Sequence, residues 1–194
     1  GMRLTKSGVE AVLYSLDGLV GVESRLIVAA DGVNSDVRRV AGISVDKKSY
    51  NETAVVCKVS VSNPTTAMAF ERFTEQGVLA FIPVGGCDYV SVYCLPDSEA
   101  NSAKELDCAA YASFLEERLG GVLGVLRVVG PRYSYPLLSQ RALSLYAERM
   151  LLVGNAANVV HPNAAQGLNL GIRDIADLAS LIDCNVSDLS LIHI

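Results

Sequence analysis

Several features that would reveal a protein's class at once are scarce in this chain. It has no basic excess: 16 Lys and Arg stand against 21 Asp and Glu, for a net charge of −5 and a sequence pI near 5.0. Nucleic-acid binding through bulk electrostatics is therefore excluded as a leading idea. Histidine is limited to His161 and His193, and the cysteines Cys57, Cys87, Cys94, Cys108 and Cys184 are scattered, with no CxxC pair. No metal-ligand cluster, Ser/His/Asp set or Walker loop is visible. An odd, scattered cysteine set without a secretory leader reads as reduced, buried thiols in a cytoplasmic protein. No apolar run approaches the roughly 20 residues of a membrane span, so any membrane contact is expected to be peripheral. There is no internal repeat, no low-complexity segment, and no G-x-G-x-x-G after a strand.

What is present begins with apolar mass. At 194 residues and 51% hydrophobic, the chain can bury one substantial core or parts of two. Its most informative stretch runs from Leu151 to Leu181, LLVGNAANVVHPNAAQGLNLGIRDIADLASL. The apolar run Met150-Leu151-Leu152-Val153, bounded by Gly154, predicts a strand buried on both faces, as in a parallel sheet. A loop with Pro162 follows, then a helix starting near Ala164. Leu168, Ile172, Ile175, Ala179 and Ile182 step by three or four and predict its buried face. Gly167 and Gly171 lie in its first turns, where each costs about 1 kcal/mol relative to Ala. Such glycines imply that something approaches the backbone closely. Bare N–H groups at a helix start suit an electron-rich ring or a phosphate.

A second motif lies upstream. Ser7–Tyr14 alternates weakly and reaches the turn Asp17-Gly18, and Arg25–Ala30 is a returning strand. That strand delivers Asp31-Gly32-Val33-Asn34-Ser35-Asp36-Val37-Arg38. Gly32 permits a tight turn, and Asn34 or Ser35 can cap a short helix. From Tyr50 the pattern changes to short alternating strands at Thr53–Val61, Met68–Phe73, Val78–Pro83 and Asp88–Leu95, an antiparallel sheet with one solvated face. Ser102–Leu119 reads as one surface helix with Leu106, Ala110, Phe114 and Leu115 inward. Tyr111, Glu116, Glu117 and Arg118 are expected to be solvated on it, and Gly120-Gly121 ends it. Glu71 and Arg72 read as a solvated strand pair or as part of a functional strand. Arg132–Leu137 is a last returning strand.

Together, Asp31-Gly32 with Ser35 and Arg38, and Gly154-Asn155 with Pro162, Ala165-Gln166-Gly167, Asn169, Gly171 and Asp174, resemble two fingerprints of FAD-dependent aromatic-ring hydroxylases of the para-hydroxybenzoate hydroxylase fold. Gly-Asn-Ala-Ala followed by His161-Pro162, with the strand Phe70-Glu71-Arg72-Phe73-Thr74, is most similar to the ubiquinone-biosynthesis branch. Asn155 stands where Asp is usual, and Ala165 where Gly is usual. The resemblance implies an α/β fold, in part α+β: an incomplete Rossmann-like FAD-binding domain with an inserted antiparallel substrate domain that roofs the pocket. Residues 1–48 and 139–184 would belong to the first, 49–138 to the second, and 185–194 would be a tail of non-native character. The chain is thus expected to be a fragment without its upstream dinucleotide-binding unit, and to lack turnover alone.

The resemblance also implies site residues and partners. Asp31, Gly32 and Arg38 would lie near the FAD diphosphate and ribose, and Gly154 and Asn155 near the ribityl chain or diphosphate. Pro162 would lie beside the ring, and the amides of Gly167, Leu168 and Asn169 at its electron-rich edge. No catalytic residue is firmly assigned. His161 is a candidate acid or base, and equally a loop residue with structural hydrogen bonds. The implied activity is NAD(P)H-dependent hydroxylation of a phenolic, polyprenylated ring, with peripheral contact to the inner membrane or a biosynthetic complex. Two alternatives stay open: a flavoprotein reductase of a polyprenyl lipid on the same fold, and a non-catalytic binding domain.

Overall fold

A computed structural model describes residues 1–5, 8–65 and 67–184. The chain divides into two units, the first formed by Gly1–Lys48 and the segment from Ser139 onward, the second by Ser49–Leu138. The expected tail at 185–194 lies outside the described residues.

The first unit opens with an antiparallel meander of β1 (Met2–Leu4), β2 (Val9–Ser15) and β3 (Gly18–Ser24). Its hairpin turns at Leu16-Asp17, and Gly18 takes φ +120°, a value that favours glycine. Next come β4 (Ile27–Ala29) and the short helix α1 (Asp36–Val40).

The second unit is built on an antiparallel sheet. Its strands are β5 (Val45–Val61, entering from the first unit), β6 (Phe70–Phe73), β7 (Val78–Gly85) and β8 (Asp88–Pro96). They lie in the order β5-β8-β7-β6. Alternate residues Val55, Cys57, Val59 and Val61 are buried on one face; the other, expected to be solvated, carries a smaller buried cluster of Ala54, Cys94 and Leu137. The helices α2 (Asp97–Glu105) and α3 (Cys108–Leu119) cover that face, contributing Ala100, Ala103, Tyr111, Leu115 and Leu119 to one core with Leu79, Phe81, Tyr93 and Leu95. β9 (Leu126–Val128) pairs with β5, and β10 (Tyr133–Ala142) carries the chain back.

The single helix expected over Ser102–Leu119 is two. Leu106 is extended, and the Asp107 carboxylate caps α3 by accepting the Ala110 N–H at 2.8 Å. The Arg132 guanidinium donates to the carbonyls of Ala103 and Leu106, at the broken end of α2. Tyr111, expected in solvent, is fully buried, stacked on Phe114 with ring centroids 5.8 Å apart. Ala110, expected inward, is exposed. Glu116 accepts the Leu126 N–H, and the half-buried Arg118 lies over the Phe114 ring. Only Glu117 of that set is solvated as expected. Arg72 makes no pair with Glu71; it donates to the Leu119 carbonyl and so caps the end of α3. The thiols are also divided: Cys57 and Cys94 are buried, whereas Cys87 and Cys108 are exposed. Burial pushes the Cys94 thiol up to about 11.

Back in the first unit, β11 (Tyr146–Ala147) and β12 (Met150–Leu152) extend a second sheet in the order β11-β12-β4. β12 runs parallel to β4 in the register Met150↔Ile27, Leu151↔Val28, Leu152↔Ala29, and all three of its residues are buried. The apolar run before Gly154 is the inner parallel strand that its composition predicts. A 3-10 turn at Gly154–Ala156, the short β13 (Asn158–Val159) and a second 3-10 turn at Pro162–Ala164 lead into α4 (Gly167–Cys184). Among the described residues, no helix is long and apolar enough to cross a membrane.

The buried face of α4 is the predicted one only at Ile182, which packs on Leu151, Val153 and Leu178. Leu168, Ile172 and Ile175 are 76%, 54% and 56% exposed, while Leu178 is 8% exposed and packs with Leu151 and Val153. Gly171, Asp174 and Leu178 form the inward row. They share a helical spacing of three and four, but only one of them is apolar, so hydrophobic periodicity points elsewhere.

Candidate functional site

Both motif loops sit in the first unit, at the carboxyl ends of the parallel strands β4 and β12. In open α/β sheets that is where ligands bind. After β4, Gly32 adopts φ +87° and the chain turns into α1. The Asp31 carboxylate accepts the N–H groups of Asp36 at 2.8 Å and Val37 at 3.2 Å, so it caps the first turn. The Ser35 hydroxyl accepts the Arg38 N–H at 3.0 Å. Partial burial pushes the Asp31 carboxyl upward. Hydrogen bonds from the Ser35 hydroxyl and from the amides of Val37, Asp31 and Asp36 outweigh it and hold the group below its ordinary value.

Arg38 is the joint between the two motifs. It is 8% exposed, and its guanidinium donates to the Ala156 carbonyl at 2.7 Å and the Val33 carbonyl at 2.8 Å. The spacing of Arg38 in the upstream motif thus has a local cause: it reaches across to the turn after Gly154. Gln140 on β10 donates to the same Val33 carbonyl at 3.0 Å. Nothing in the sequence singles out Gln140, which belongs to neither motif.

The downstream loop is held from α4. The Asp174 carboxylate accepts the Gly154 N–H at 3.0 Å. A Cβ on Gly171 would stand 3.3 Å from the Gly154 Cα, so the close approach that Gly171 permits is to the protein's own turn. Gly167 differs. A Cβ there would meet nothing nearer than Val160 Cγ2 at 3.9 Å, and one on Gly32 or Gly154 would have no neighbour within 4 Å. No side chain screens the backbone at these three glycines, which fits close approach of a flat or phosphate-bearing group, although the Gly154 N–H itself is already taken by Asp174. Hydrogen bonding in α4 starts with the Leu170 N–H on the Gln166 carbonyl, so the amides of Gly167, Leu168 and Asn169 precede the helical ladder.

Ala165 lies just before these amides with φ +48°, in the left-handed region. A side chain there costs about 1–2 kcal/mol, the physical reason glycine is usual at this place. His161 caps the Pro162–Ala164 turn, its Nδ1 accepting the Asn163 N–H at 3.3 Å. Asn155, Pro162, Leu168 and Asn169 are exposed along this loop. Among the described residues, no cluster of His, Cys, Asp or Glu could hold a metal ion. A concavity of about 600 Å³, lined by Leu143, Leu145, Tyr146, Leu151, Asp174 and Leu178, touches none of the expected cofactor residues.

The sequence model of a family described as "FAD binding domain" matches residues 1–187. The chain belongs to this family. Members similar to it include the ubiquinone hydroxylase UbiL of Rhodospirillum rubrum, 38% identical over 92% of this chain and 41% of that protein. The 3-demethoxyubiquinol 3-hydroxylase of Escherichia coli is 28% identical over 83% of this chain and 41% of its own length. Among solved structures, an aklavinone-11 hydroxylase in complex with FAD and aklavinone superposes with a TM-score of 0.78. It is 19% identical, over 95% of this chain and 36% of the other. That likeness shows a shared fold. The chain spans about two fifths of the length of the curated relatives it matches.

Proposed function

We propose that this FAD binding domain is part of a monooxygenase that uses FAD and NAD(P)H to hydroxylate the phenolic ring of a polyprenylated ubiquinone precursor. The observation that carries the reading is the bare backbone at Gly32, Gly154 and Gly167, beside amides at the start of α4. It stands in a chain 38% identical to a ubiquinone hydroxylase. Bound FAD would supply oxygen activation, with electrons from the nicotinamide. The protein's part is to bind, orient and polarise.

In this reading the N–H groups of Gly167, Leu168 and Asn169 would donate to the electron-rich edge of the flavin, aided by the positive end of the α4 dipole. Pro162 would lie beside the ring, and Gly154 and Asn155 would meet the ribityl chain or diphosphate. Asn155 keeps a carbonyl oxygen that accepts a ribityl hydroxyl. Asp31 and Gly32 would approach the diphosphate and ribose, with Arg38 fixing their loop from inside. A polyprenylated substrate would bring the enzyme to the inner-membrane surface peripherally, from the cytoplasmic side.

The test uses the complete gene product. Flavin absorbance bands after purification, and NADPH oxidation that needs O₂ and quickens when the phenol is added, are the expected results. NADPH oxidation indifferent to both O₂ and phenol would assign a reductase instead. A protein that takes up no flavin would leave only a binding domain.

A further inference from the structure

Four polar or charged side chains are buried among the described residues: Ser35, Arg38, Ser91 and Gln140. Three of them gather on one loop, the segment from Asp31 to Arg38. Burying an amide or a guanidinium costs free energy unless it is hydrogen-bonded, so such a gathering marks a geometry held on purpose. Its focus is the Val33 carbonyl, which receives Arg38 at 2.8 Å and Gln140 at 3.0 Å. One donor would satisfy that oxygen; two fix its direction.

We infer that Gln140 is a positioning residue for the FAD diphosphate, acting through the Val33–Asn34 peptide. The inference rests on the reading under Proposed function. A peptide group is planar and trans, so turning the Val33 carbonyl toward the buried pair aims the Asn34 N–H the opposite way. Asn34 is exposed. Its amide is thereby presented as an outward donor on the loop after β4, where an anionic group needs one. Gln140 also grips the downstream loop: its backbone is in register with Val159, two residues before His161. This residue therefore holds one loop by its side chain and the approach to the other by its backbone. Arg38 alone fixes the Val33 oxygen from one side only.

The experiment titrates FAD into the apo form of the complete gene product, with the wild type, Gln140→Met and Gln140→His. Met keeps the volume and removes the donor, whereas His restores an N–H at similar reach. Gln140→Met should weaken FAD about tenfold, as the loss of one such hydrogen bond implies. The apo melting temperature should shift by no more than a few degrees, and Gln140→His should recover most of the affinity. In the wild type, hydrogen exchange at the Asn34 amide should slow when FAD is added; this measurement decides the matter even if a variant does not fold. Unchanged FAD affinity in Gln140→Met, or an Asn34 amide that FAD does not protect, overturns the inference alone. A wild-type protein that binds no FAD overturns the functional reading and this inference with it.

Discussion

In the second unit Val55, Val59, Leu79, Phe81, Tyr93, Leu95 and Leu115 close on one another, each at most 1% exposed. In the first unit the buried clusters are short, such as Ala29, Leu152, Ala156 and Ala157, or Leu151, Val153 and Leu178. Its apolar residues instead face outward in two stretches: Leu13, Tyr14, Leu16 and Leu19 around the β2–β3 hairpin, and Leu168, Ile172 and Ile175 along α4. The contrast separates two uses of apolar sequence. The second unit gathers its apolar residues around one large core, although Phe73 and Val125 among others stay exposed. The other carries surfaces of the kind that mark contact with something else.

Four measurements break or sharpen that contrast. The largest effect is expected from Leu115→Ala, which empties part of the large core and should cost about 2–5 kcal/mol in denaturant unfolding. A loss below about 1 kcal/mol would show that the second unit is packed no better than the first. Gly171→Val should come next, at about 1–3 kcal/mol, because its side chain must push against the Gly154 backbone. A neutral result would mean that the α4 contact yields easily.

The third measurement concerns pH. The Asp31 carboxyl lies below its ordinary value of 3.8 in the folded chain, so it adds stability that is complete above that value. That stability is lost as pH falls through the lower folded value. The stability gap between wild type and Asp31→Asn should thus be flat down to about pH 5 and narrow below about pH 4. A gap that grows with acid would refute the capping role. The smallest effect belongs to Ile172→Lys. At a position already exposed, it should shift stability by no more than about 0.5 kcal/mol. A loss of several kcal/mol would mean that the outward stripe of α4 is covered after all.

Strands and loops were legible in this sequence where period and turn chemistry act locally. The inner strand before Gly154, the meander turn (expected at Asp17-Gly18, found one residue earlier) and the alternating strands from Thr53 onward follow from that kind of signal. The inward face of α4 did not, because its row is Gly171, Asp174 and Leu178: a close contact, a hydrogen bond and one packing residue. Tyr111 was misplaced for a related reason. Its hydroxyl suggests solvent, yet the ring is held by Phe114 and by the Arg132 guanidinium 4.7 Å from its centroid. The break at Leu106-Asp107 hid in a continuous helical pattern. Only the cap at Asp107 and the guanidinium of Arg132, just before β10, impose it. At the site, glycines and motif spacing were readable, whereas Gln140 was not, since its role depends on a carbonyl far away in sequence.

The parallel pairing of β4 with β12 has a consequence for how the molecule is made. Ile27 leaves the ribosome long before its neighbour Met150 exists, and the whole of Ser49–Leu138 is synthesised in between. That intervening stretch is contiguous and can mature as it emerges. The β1–β3 meander closes on itself, but β4 must wait in the nascent chain for β12, so the sheet they share is completed late. For this sheet, birth order and completion order are reversed: the strand made first is the one paired last.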